Sequence, residues 1–481
     1  MSQLKIIFLT LLLFCSASGI ASNNSSPLDP QNALLLQKSI PKELQAWPFI
    51  VYPLQTDAYN AERFIFNKRF NVFPKAIIIP NSKKNLAQTL RILKKKNLNF
   101  AVRSGGHCFE PGSLSPDYVL DLRHFNSIKL KKQNEVYVGA GVRSGALINV
   151  LGQLDRAIPT GTCQTVGIPG VTLGGGIGFL VRTFGLTCDA VKKVTLLNAN
   201  SEIIDVDKDH YPDLFWALRG AGNNSYGIAL GFTFNTFDIP GASFFDLEWD
   251  WDPALVLQIF HAWHAWIAQL PESINPVLSL GYADGKLSIA IEGIKVGKDP
   301  FIEWQSAFGA LNPRVNIKTG SYLSLAPLWE DSPTTPFLKI KSFMLFTPLS
   351  DAGIAATINY FESLRAQQAN FQVNFQFVAL GGQYARGNTA FFPRNAVEWW
   401  HLRASWDQQE QEPAALASLR TFYDSVAPFA SPFCYTNDTD YDLGNTYLNA
   451  YYGTNVNSLN QIKRKYDPNN IFHWAQSIPL Q

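Results

Sequence analysis

Apolar residues in the first half of the chain alternate between short strand-like runs and stretches with helical spacing. An apolar run at 76–79 and a turn that ends in Ser82 precede three leucines at intervals of three and four residues: Leu86, Leu90 and Leu93. This order predicts a strand, a helix capped by Ser82 and a second strand at 99–102. Glycine-rich loops separate further predicted strands at 118–121, 136–139, 191–197 and 203–206. We therefore expect an α+β region that extends to about Pro240.

The pattern changes beyond Pro240. Residues 244–251 alternate as a strand does, residues 254–270 have helical periodicity, and residues 373–378 alternate again. This region is rich in tryptophan, with Trp249, Trp251, Trp263, Trp266, Trp304 and Trp329. The change predicts a second domain.

Composition limits the classes of protein that this chain can represent. Of its 481 residues 46% are hydrophobic, 16% are charged and 33 are glycine. Such a chain has a large core, so a wholly disordered protein is excluded. At about 150 residues per domain, this length corresponds to two or three domains. Lys and Arg total 40 against 38 for Asp and Glu, so no net field favours nucleic acid as a partner.

The N-terminus has the pattern of a secretory signal. Lys5 precedes an apolar run at 6–14, and small residues follow as far as Ala21. We expect a cleaved signal peptide at 1–21 and a secreted or periplasmic protein. A membrane anchor is the alternative, but the run is shorter than the roughly 20 residues that a bilayer needs. Phe14 disfavours a lipoprotein anchor at Cys15, and no later segment predicts a membrane span.

Four cysteines remain after the predicted cleavage: Cys108, Cys163, Cys188 and Cys434. They are widely separated and show no C-x-x-C spacing, so we expect no metal site. A disulfide among them stays open, because its pairing cannot be assigned from spacing. Four asparagines lie in N-x-[ST] triplets, which are glycosylated only in some hosts: Asn23, Asn24, Asn223 and Asn437.

Two glycine-rich loops are the segments most indicative of chemistry. The first, at 103–113, directly follows a predicted strand, and the second, at 161–178, is almost without charge. Closely spaced glycines let backbone N–H groups converge on an anion. Neither loop has the GxGxxG plan of a Rossmann fold or the lysine of a P-loop, so another nucleotide-binding fold is required.

Five motifs follow one another along the chain: Arg103-Ser-Gly-Gly-His107, Gly161-Thr-Cys163-Gln-Thr-Val-Gly167, Gly174-Gly-Gly-Ile-Gly178, Asp213 to Gly222, and Tyr451-Tyr-Gly-Thr-Asn455 with Tyr466 to Phe472. In this order they resemble the FAD-linked oxidases related to berberine bridge enzyme and the oligosaccharide oxidases, in the vanillyl-alcohol oxidase and p-cresol methylhydroxylase superfamily. The resemblance implies a two-domain α+β fold. A non-Rossmann FAD-binding domain would comprise 22–239 and a C-terminal return at 436–481. A substrate domain at 240–435 would hold an antiparallel sheet covered by helices.

The resemblance also implies a bicovalent FAD. His107 matches the residue bonded to the flavin 8-methyl carbon, and Cys163 matches the one bonded to C6. Pyrophosphate contacts are expected from the first loop, through Arg103, Ser104, Gly105, Gly106 and Gly112. The remaining expected cofactor-binding residues are Thr165, Val166, Gly167, Gly174, Gly175, Gly178, Tyr452 and Asn455. Val166 matches a position that in relatives controls access of O2 to the flavin, and its small side chain favours an oxidase.

Alcohol oxidation by a flavin needs hydride transfer to N5 and a group that accepts the hydroxyl proton. Tyr435 matches the tyrosinate base of the carbohydrate-oxidising relatives, in a Tyr-x-Asn motif. Its pKa is ordinarily about 10, so a buried cation or hydrogen-bonding neighbour is expected; an ordinary packed tyrosine is the alternative. Relatives carry a polar residue where this chain has Val378. Gln376 lies two residues back on the same strand face and is the expected substitute.

These features predict an exported FAD-dependent oxidase that takes a hydride from an alcohol carbon and passes the electrons to O2, giving a carbonyl and hydrogen peroxide. The expected substrate is an oligosaccharide or related small molecule, and a monomer is expected. Tryptophans could stack on sugar rings, or they could pack in the core, as they more often do. Two alternatives stay open: a tailoring oxidase of an aromatic natural product or amine, and a flavin-containing sugar-binding protein with little turnover.

Overall fold

The computed structural model describes residues 30–45, 50–51, 56–132, 134–329 and 336–480. The predicted signal peptide at 1–21 lies outside these residues. Within them no helix is both long and apolar enough to cross a bilayer. The α-helices in this part are α1 Pro30–Lys38, α2 Lys42–Gln45, α3 Thr56–Arg63, α4 Lys83–Lys95, α5 Ser144–Gly152, α6 Ile168–Leu173, α7 Val181–Phe184, α8 Pro212–Leu218, α9 Pro253–Ile267, α10 Trp304–Phe308, α11 Tyr322–Leu325, α12 Asp351–Ala366, α13 Glu412–Val426, α14 Tyr447–Tyr452 and α15 Val456–Tyr466.

The strands of the same ranges are β1 Ile50–Val51, β2 Ala76–Ile78, β3 Phe100–Arg103, β4 Tyr118–Asp121, β5 Ile128–Leu130, β6 Glu135–Gly139, β7 Arg156–Ala157, β8 Val191–Leu197, β9 Ile203–Asp207, β10 Ile228–Asn235, β11 Phe237–Asp238, β12 Ala242–Trp249, β13 Ile274–Ala283, β14 Lys286–Val296, β15 Arg314–Gly320, β16 Phe337–Leu345, β17 Gln372–Ala379 and β18 Glu398–Trp406. They form sheets with the orders β1-β2-β4-β3, β5-β6-β10-β8-β9, β11-β7 and β15-β12-β14-β13-β17-β18-β16. Short 3₁₀ helices occupy Thr187–Ala190, Gly309–Leu311, Ala326–Trp329, Gly382–Arg386, Gln409–Gln411, Ala427–Phe429, Tyr441–Thr446 and Gly453–Asn455.

The predicted strand, capped helix and strand are confirmed as β2, α4 and β3. Ser82 caps α4, because its side-chain oxygen accepts the N–H of Asn85. The three leucines at helical spacing, Leu86, Leu90 and Leu93, are buried. Both β2 and β3 pair in parallel with β4, and the antiparallel pair β8 and β9 is where the apolar pattern predicts it.

The seven-stranded antiparallel sheet has one apolar face and one mixed face. Because successive strand residues point to opposite sides, Phe375, Phe377 and Trp400 lie in a core that α9, α12 and α13 cover. Gln376 and Val378 face the other way. The predicted α+β fold, with an antiparallel sheet covered by helices, is therefore confirmed.

The tryptophans of this region pack mainly in the core. Trp249, Trp263 and Trp266 are buried among the helices and the sheet, and Trp251 and Trp304 pack partly buried against the same cluster. Of the two roles that the sequence left open, core packing describes these five side chains. The strand at the start of the region begins at Ala242 rather than at 244, and α9 ends at Ile267 rather than at 270.

The C-terminal residues pack against the first part of the chain. Buried residues of α14 and α15 share one apolar cluster with β6, β8 and β10. Lys463 in α15 is fully buried, and its Nζ donates to Asp467 at 2.7 Å, to the Ser225 carbonyl at 2.7 Å and to the Phe472 carbonyl at 2.6 Å. This packing supports a division into 22–239 with 436–481 and 240–435, whose limits stay predictions.

Candidate functional site

The two glycine-rich loops lie directly against each other. A Cβ added to Gly105 would be 2.3 Å from the Gly167 nitrogen, and one added to Gly167 would be 2.4 Å from the Gly105 nitrogen. Side chains do not tolerate such distances, so the backbones can meet only because both residues are glycine. The Ser104 Oγ donates to the Ala140 carbonyl at 2.6 Å, which fixes the first loop beside β6.

A large cleft separates these loops from the mixed face of the seven-stranded sheet. It encloses about 1860 Å³, open solvent at its mouth included. The loops form its floor, and β13, β14, β16, β17 and β18 contribute its roof. Eleven of the predicted site residues line it: Ser104, Gly105, Gly106, His107, Gly112, Cys163, Val166, Gly167, Gly178, Gln376 and Tyr435.

Arg103 is the clearest case of a predicted residue outside the cleft lining. It is buried, and its Nε donates to Asp121 at 2.6 Å while its Nη1 donates to the Glu62 carbonyl at 2.7 Å. Asp121 lies opposite Arg103 in the register of β3 and β4. The Arg103 side chain therefore holds β3 to β4 rather than entering the cleft, because a buried guanidinium needs a carboxylate partner.

Most of the other predicted residues that lie outside the lining contact neighbouring segments of the chain. A Cβ on Gly174 would be 2.0 Å from the Asn437 Oδ1, and one on Gly175 would be 2.4 Å from the Phe391 ring. The Asn455 amide donates to the Ala390 carbonyl at 3.2 Å. Tyr452 is buried with its hydroxyl 3.3 Å from the Thr436 Oγ1, and Thr165 is exposed. Their direct contact with a cofactor stays a prediction.

His107 and Cys163 reach the cleft from different loops. The His107 ring stacks on Phe66, with centroids 3.7 Å apart and planes 19° apart, and Phe109 meets it edge-on. Phe66 is itself tied to the loop, since its N–H donates to the Gly106 carbonyl at 2.7 Å. Cys163 is buried. The imidazole is thus held in one orientation by an aromatic neighbour.

Cys108, Cys163, Cys188 and Cys434 form no disulfide with one another in the described part of the chain. The disulfide that the sequence left open is therefore not formed among them. Burial raises the pKa of Cys188 and that of Cys434 to about 12, so these two thiols stay protonated and unreactive. Cys108 lines the cleft next to His107, and burial raises its pKa as well.

Tyr435 is buried with three N–H donors around its hydroxyl oxygen. The Gly176 N–H lies at 2.9 Å, the Ile177 N–H at 3.2 Å and the Asn437 side-chain amide at 2.8 Å. Burial raises the pKa of Tyr435 above its usual value, although these donors act in the opposite direction. The hydrogen-bonding neighbours that the sequence leads us to expect are therefore present, and the role of Tyr435 as the base stays a prediction.

Asn437 and Asn223 belong to the wall of the cleft rather than to its outer surface. The Asn223 amide donates to the Asn437 Oδ1 at 3.1 Å, and both side chains are largely enclosed. In the folded protein these two N-x-[ST] triplets therefore belong to the cleft wall. Asn23 and Asn24 lie outside the described residues.

Several polar or aromatic residues of the lining were not predicted from the sequence, among them Glu292, Trp399, His401, Arg403 and Asp438. The His401 Nδ1 lies 3.2 Å from the Asp438 Oδ2, and the Trp399 Nε1 donates to the same oxygen at 2.8 Å. Alternation in β18 places Trp399, His401 and Arg403 on one face, which is a signal that the sequence contains. No local pattern predicts that Asp438 meets them.

The lining fits a flavin dinucleotide. Glycines leave the floor bare of Cβ atoms, and backbone N–H groups there can approach a pyrophosphate. An imidazole and a thiol, the two groups that bond flavin rings, lie on this floor. The roof adds Trp399 and the apolar Val277, Leu338, Ile340 and Val378, which suit a flat aromatic ring.

Comparisons with known proteins agree with this geometry. Residues 74–207 match the family model described as FAD binding domain, and residues 434–479 match the one described as Berberine and berberine like. An uncharacterized FAD-linked oxidoreductase of Bacillus subtilis (strain 168) is 28% identical over 456 residues, covering 88% of this chain and 94% of its own. Chitooligosaccharide oxidase of Gibberella zeae is 24% identical over 506 residues, covering 97% and 98%.

Solved structures show the same relationship. The wild-type structure of BBE-like 1 of Physcomitrella patens has a TM-score of 0.82 and 30% identity, covering 90% of this chain and 97% of its own. Similarity of this extent, together with both family models and the cleft, establishes the relationship. The chain belongs to the FAD-linked oxidases related to berberine bridge enzyme and the oligosaccharide oxidases, and it is an FAD-dependent oxidoreductase.

Proposed function

We propose that this protein oxidises a hydroxyl-bearing carbon of an oligosaccharide or related alcohol, with an FAD bonded to both His107 and Cys163. The observation that carries the proposal is that these two side chains, far apart in the sequence, line one cleft beneath a face with polar side chains. The chitooligosaccharide oxidase that resembles this chain along almost its whole length supports a sugar as substrate. When bound, FAD accepts a hydride from a substrate C–H bond and is reoxidised by O2, which becomes hydrogen peroxide.

The floor positions the cofactor. His107 is held by Phe66, and the second loop presents Cys163, so two bonds at separate points would fix the ring in the cleft. Ser104, Gly105, Gly106 and Gly112 supply the loop near the pyrophosphate, and Val166 with Gly167 and Gly178 lines the second loop. Val166 is the small side chain that we expect to admit O2.

The roof binds the substrate. Gln376 is half-buried, and its side-chain amide makes no hydrogen bond to another described residue. An amide offers both donors and an acceptor, so Gln376 is suited to hold a substrate hydroxyl. Tyr435 lines the same cleft, with its hydroxyl against the second loop.

The proposed export of the protein gives a reason for covalent attachment. A dissociated flavin would be lost outside the cell, whereas two bonds make occupancy independent of the FAD concentration. We propose a secreted or periplasmic monomer that acts on a small molecule. Cleavage near Ala21 is checked by N-terminal sequencing of the exported protein.

A sugar panel tests the proposed reaction. Purified protein is mixed with chitobiose, cellobiose and xylobiose, and we expect at least one to bleach the flavin without air and to release hydrogen peroxide in air. Bleaching by an aromatic amine or phenol but by no sugar would favour a tailoring oxidase instead. Tight sugar binding with neither bleaching nor peroxide would favour a sugar-binding protein.

A further inference from the structure

We propose that His401, held by Asp438, accepts the proton of the substrate hydroxyl. This inference rests on the proposed oxidation of an alcohol and assigns its proton acceptor. His401 lies in the middle of β18, opposite Gln376 on one neighbouring strand and Ser342 on the other. It therefore occupies the mixed face of the sheet beside the residue best suited to hold a substrate hydroxyl.

The hydrogen bond to Asp438 determines which ring nitrogen can accept a proton. The Nδ1 of His401 lies 3.2 Å from the Asp438 Oδ2, and a carboxylate accepts but does not donate, so Nδ1 carries the hydrogen. In a neutral imidazole the other nitrogen, Nε2, then has the lone pair. Among the described residues no group hydrogen-bonds Nε2, and the ring contributes to the cleft lining.

Asp438 is a positioning residue with a second anchor. Its Oδ2 also accepts the Trp399 Nε1–H at 2.8 Å, and its side chain is 2% exposed. Trp399 in turn packs edge-on against Tyr435, with ring centroids 5.2 Å apart. The carboxylate is thus fixed in place, and its charge stabilises the imidazolium that forms when His401 takes a proton.

Tyr435 is less suited to this step. Its hydroxyl is enclosed by the Gly176, Ile177 and Asn437 N–H groups, and burial raises its pKa, with the nearby Asp438 charge adding to the rise. With three donors already around it, the Tyr435 oxygen has less room for a further donor than an imidazole nitrogen that carries a lone pair.

The substrate O–H bond breaks, its proton bonds to the His401 Nε2, and its electron pair forms the carbonyl double bond. The C–H bond breaks at the same carbon, and the hydrogen leaves with both electrons to the oxidised FAD. The alcohol loses two electrons and two hydrogens, and the proton later passes to solvent.

Flavin reduction without air, with whichever of chitobiose, cellobiose or xylobiose bleaches the wild type, tests the step. We expect His401→Ala to keep its flavin and its half-saturating sugar concentration within about threefold, and to lower the reduction rate about 10²–10⁴-fold. Added imidazole should restore part of that rate. His261→Gln, at a histidine that is 52% exposed on α9, is the matched control and should keep the wild-type rate.

A spectroscopic measurement on the wild-type protein tests the geometry directly. In protein labelled with ¹⁵N-histidine, we expect ¹⁵N shifts that place a hydrogen on the His401 Nδ1, and a change in that signature in Asp438→Asn. If His401 had only a structural role, added imidazole would not restore the flavin reduction rate of His401→Ala.

Each remaining outcome overturns a definite part of the account. Equal reduction rates in the wild type and His401→Ala would remove His401 as the acceptor and leave the proposed oxidation intact. A slow His401→Ala that imidazole does not rescue, or hydrogen on Nε2 in the wild type, would reduce the residue to a structural role. Bleaching by none of the sugars would overturn the proposed function, and this inference with it.

Discussion

Replacing Lys339 with Met should destabilise the protein strongly, because Lys339 lies at the centre of a buried ionic cluster next to the cleft. Lys339 on β16 is 2% exposed, and its Nζ lies 2.6 Å from Glu110 and 2.6 Å from Asp440. Glu110 follows His107 by three residues in the first loop, so this contact ties the loop to the seven-stranded sheet. Met conserves the length of the side chain and removes only the charge and its hydrogen bonds.

The expected loss of unfolding free energy is about 3–5 kcal/mol, the usual cost of leaving a buried partner without its counter-ion. Among the described residues, Asp440 keeps Lys341 at 2.8 Å, but Glu110 keeps only Arg69 at 3.9 Å. The penalty therefore falls mainly on Glu110, which is 3% exposed.

The effect of pH has a definite sign. Burial raises the pKa of Glu110, although Lys339 opposes the rise. A carboxyl whose folded pKa is raised loses its contribution to stability as the pH increases through that value. Without Lys339 the rise is larger, so as the pH increases above the usual glutamate pKa of about 4.3 the variant should lose stability more steeply than the wild type.

Urea unfolding of the flavin-loaded protein measures the difference at constant m-value. Lys208→Met is the matched control, because Lys208 is 80% exposed and pairs only with the exposed Asp209, so its loss should be within about 0.5 kcal/mol. Adding Glu110→Gln to Lys339→Met should recover part of the loss. A loss below about 1 kcal/mol for Lys339→Met would refute the reasoning.

Three further predictions concern the loops, the C-terminal return and the phenol. Gly105→Ala should lower the ratio of flavin to protein absorbance, since its Cβ would be 2.3 Å from the Gly167 nitrogen, whereas Gly309→Ala, with open space around its Cβ, should not. Lys463→Met should lower the free energy of unfolding by about 3–5 kcal/mol, because it leaves the buried Asp467 without its counter-ion. An unchanged urea midpoint would contradict this. Tyr435→Phe should retain flavin and, because His401 is the proposed proton acceptor, should slow flavin reduction by sugar much less than His401→Ala does; an equal or larger loss would identify the phenol as the acceptor.

Local pattern predicted the elements well where one segment determines its own structure. Helix α4 has its cap in Ser82 and its buried face in three leucines, so no distant residue was needed. The two glycine-rich loops could also be recognised in the sequence. The structure explains their composition, because the close approach of Gly105 and Gly167 leaves no room for a side chain. Alternation correctly placed Gln376 on the cleft side of β17.

Residues whose roles depend on strand register were not predictable in this way. Arg103 belongs to a glycine loop motif, yet the parallel pairing of β3 with β4 puts Asp121 opposite it and draws its guanidinium away from the cleft. His401 and Asp438 come from a strand and a distant loop, and only the packed fold brings them together. A buried charged side chain requires a partner of opposite charge or a hydrogen-bonding partner, but the sequence does not identify that partner.

Peptide mass analysis tests the central claim most directly. Trypsin should release residues 104–123, which contain His107, and residues 157–182, which contain Cys163. We expect both segments to be recovered joined through a single FAD. Recovery of the two peptides separately, each at its unmodified mass, would contradict it.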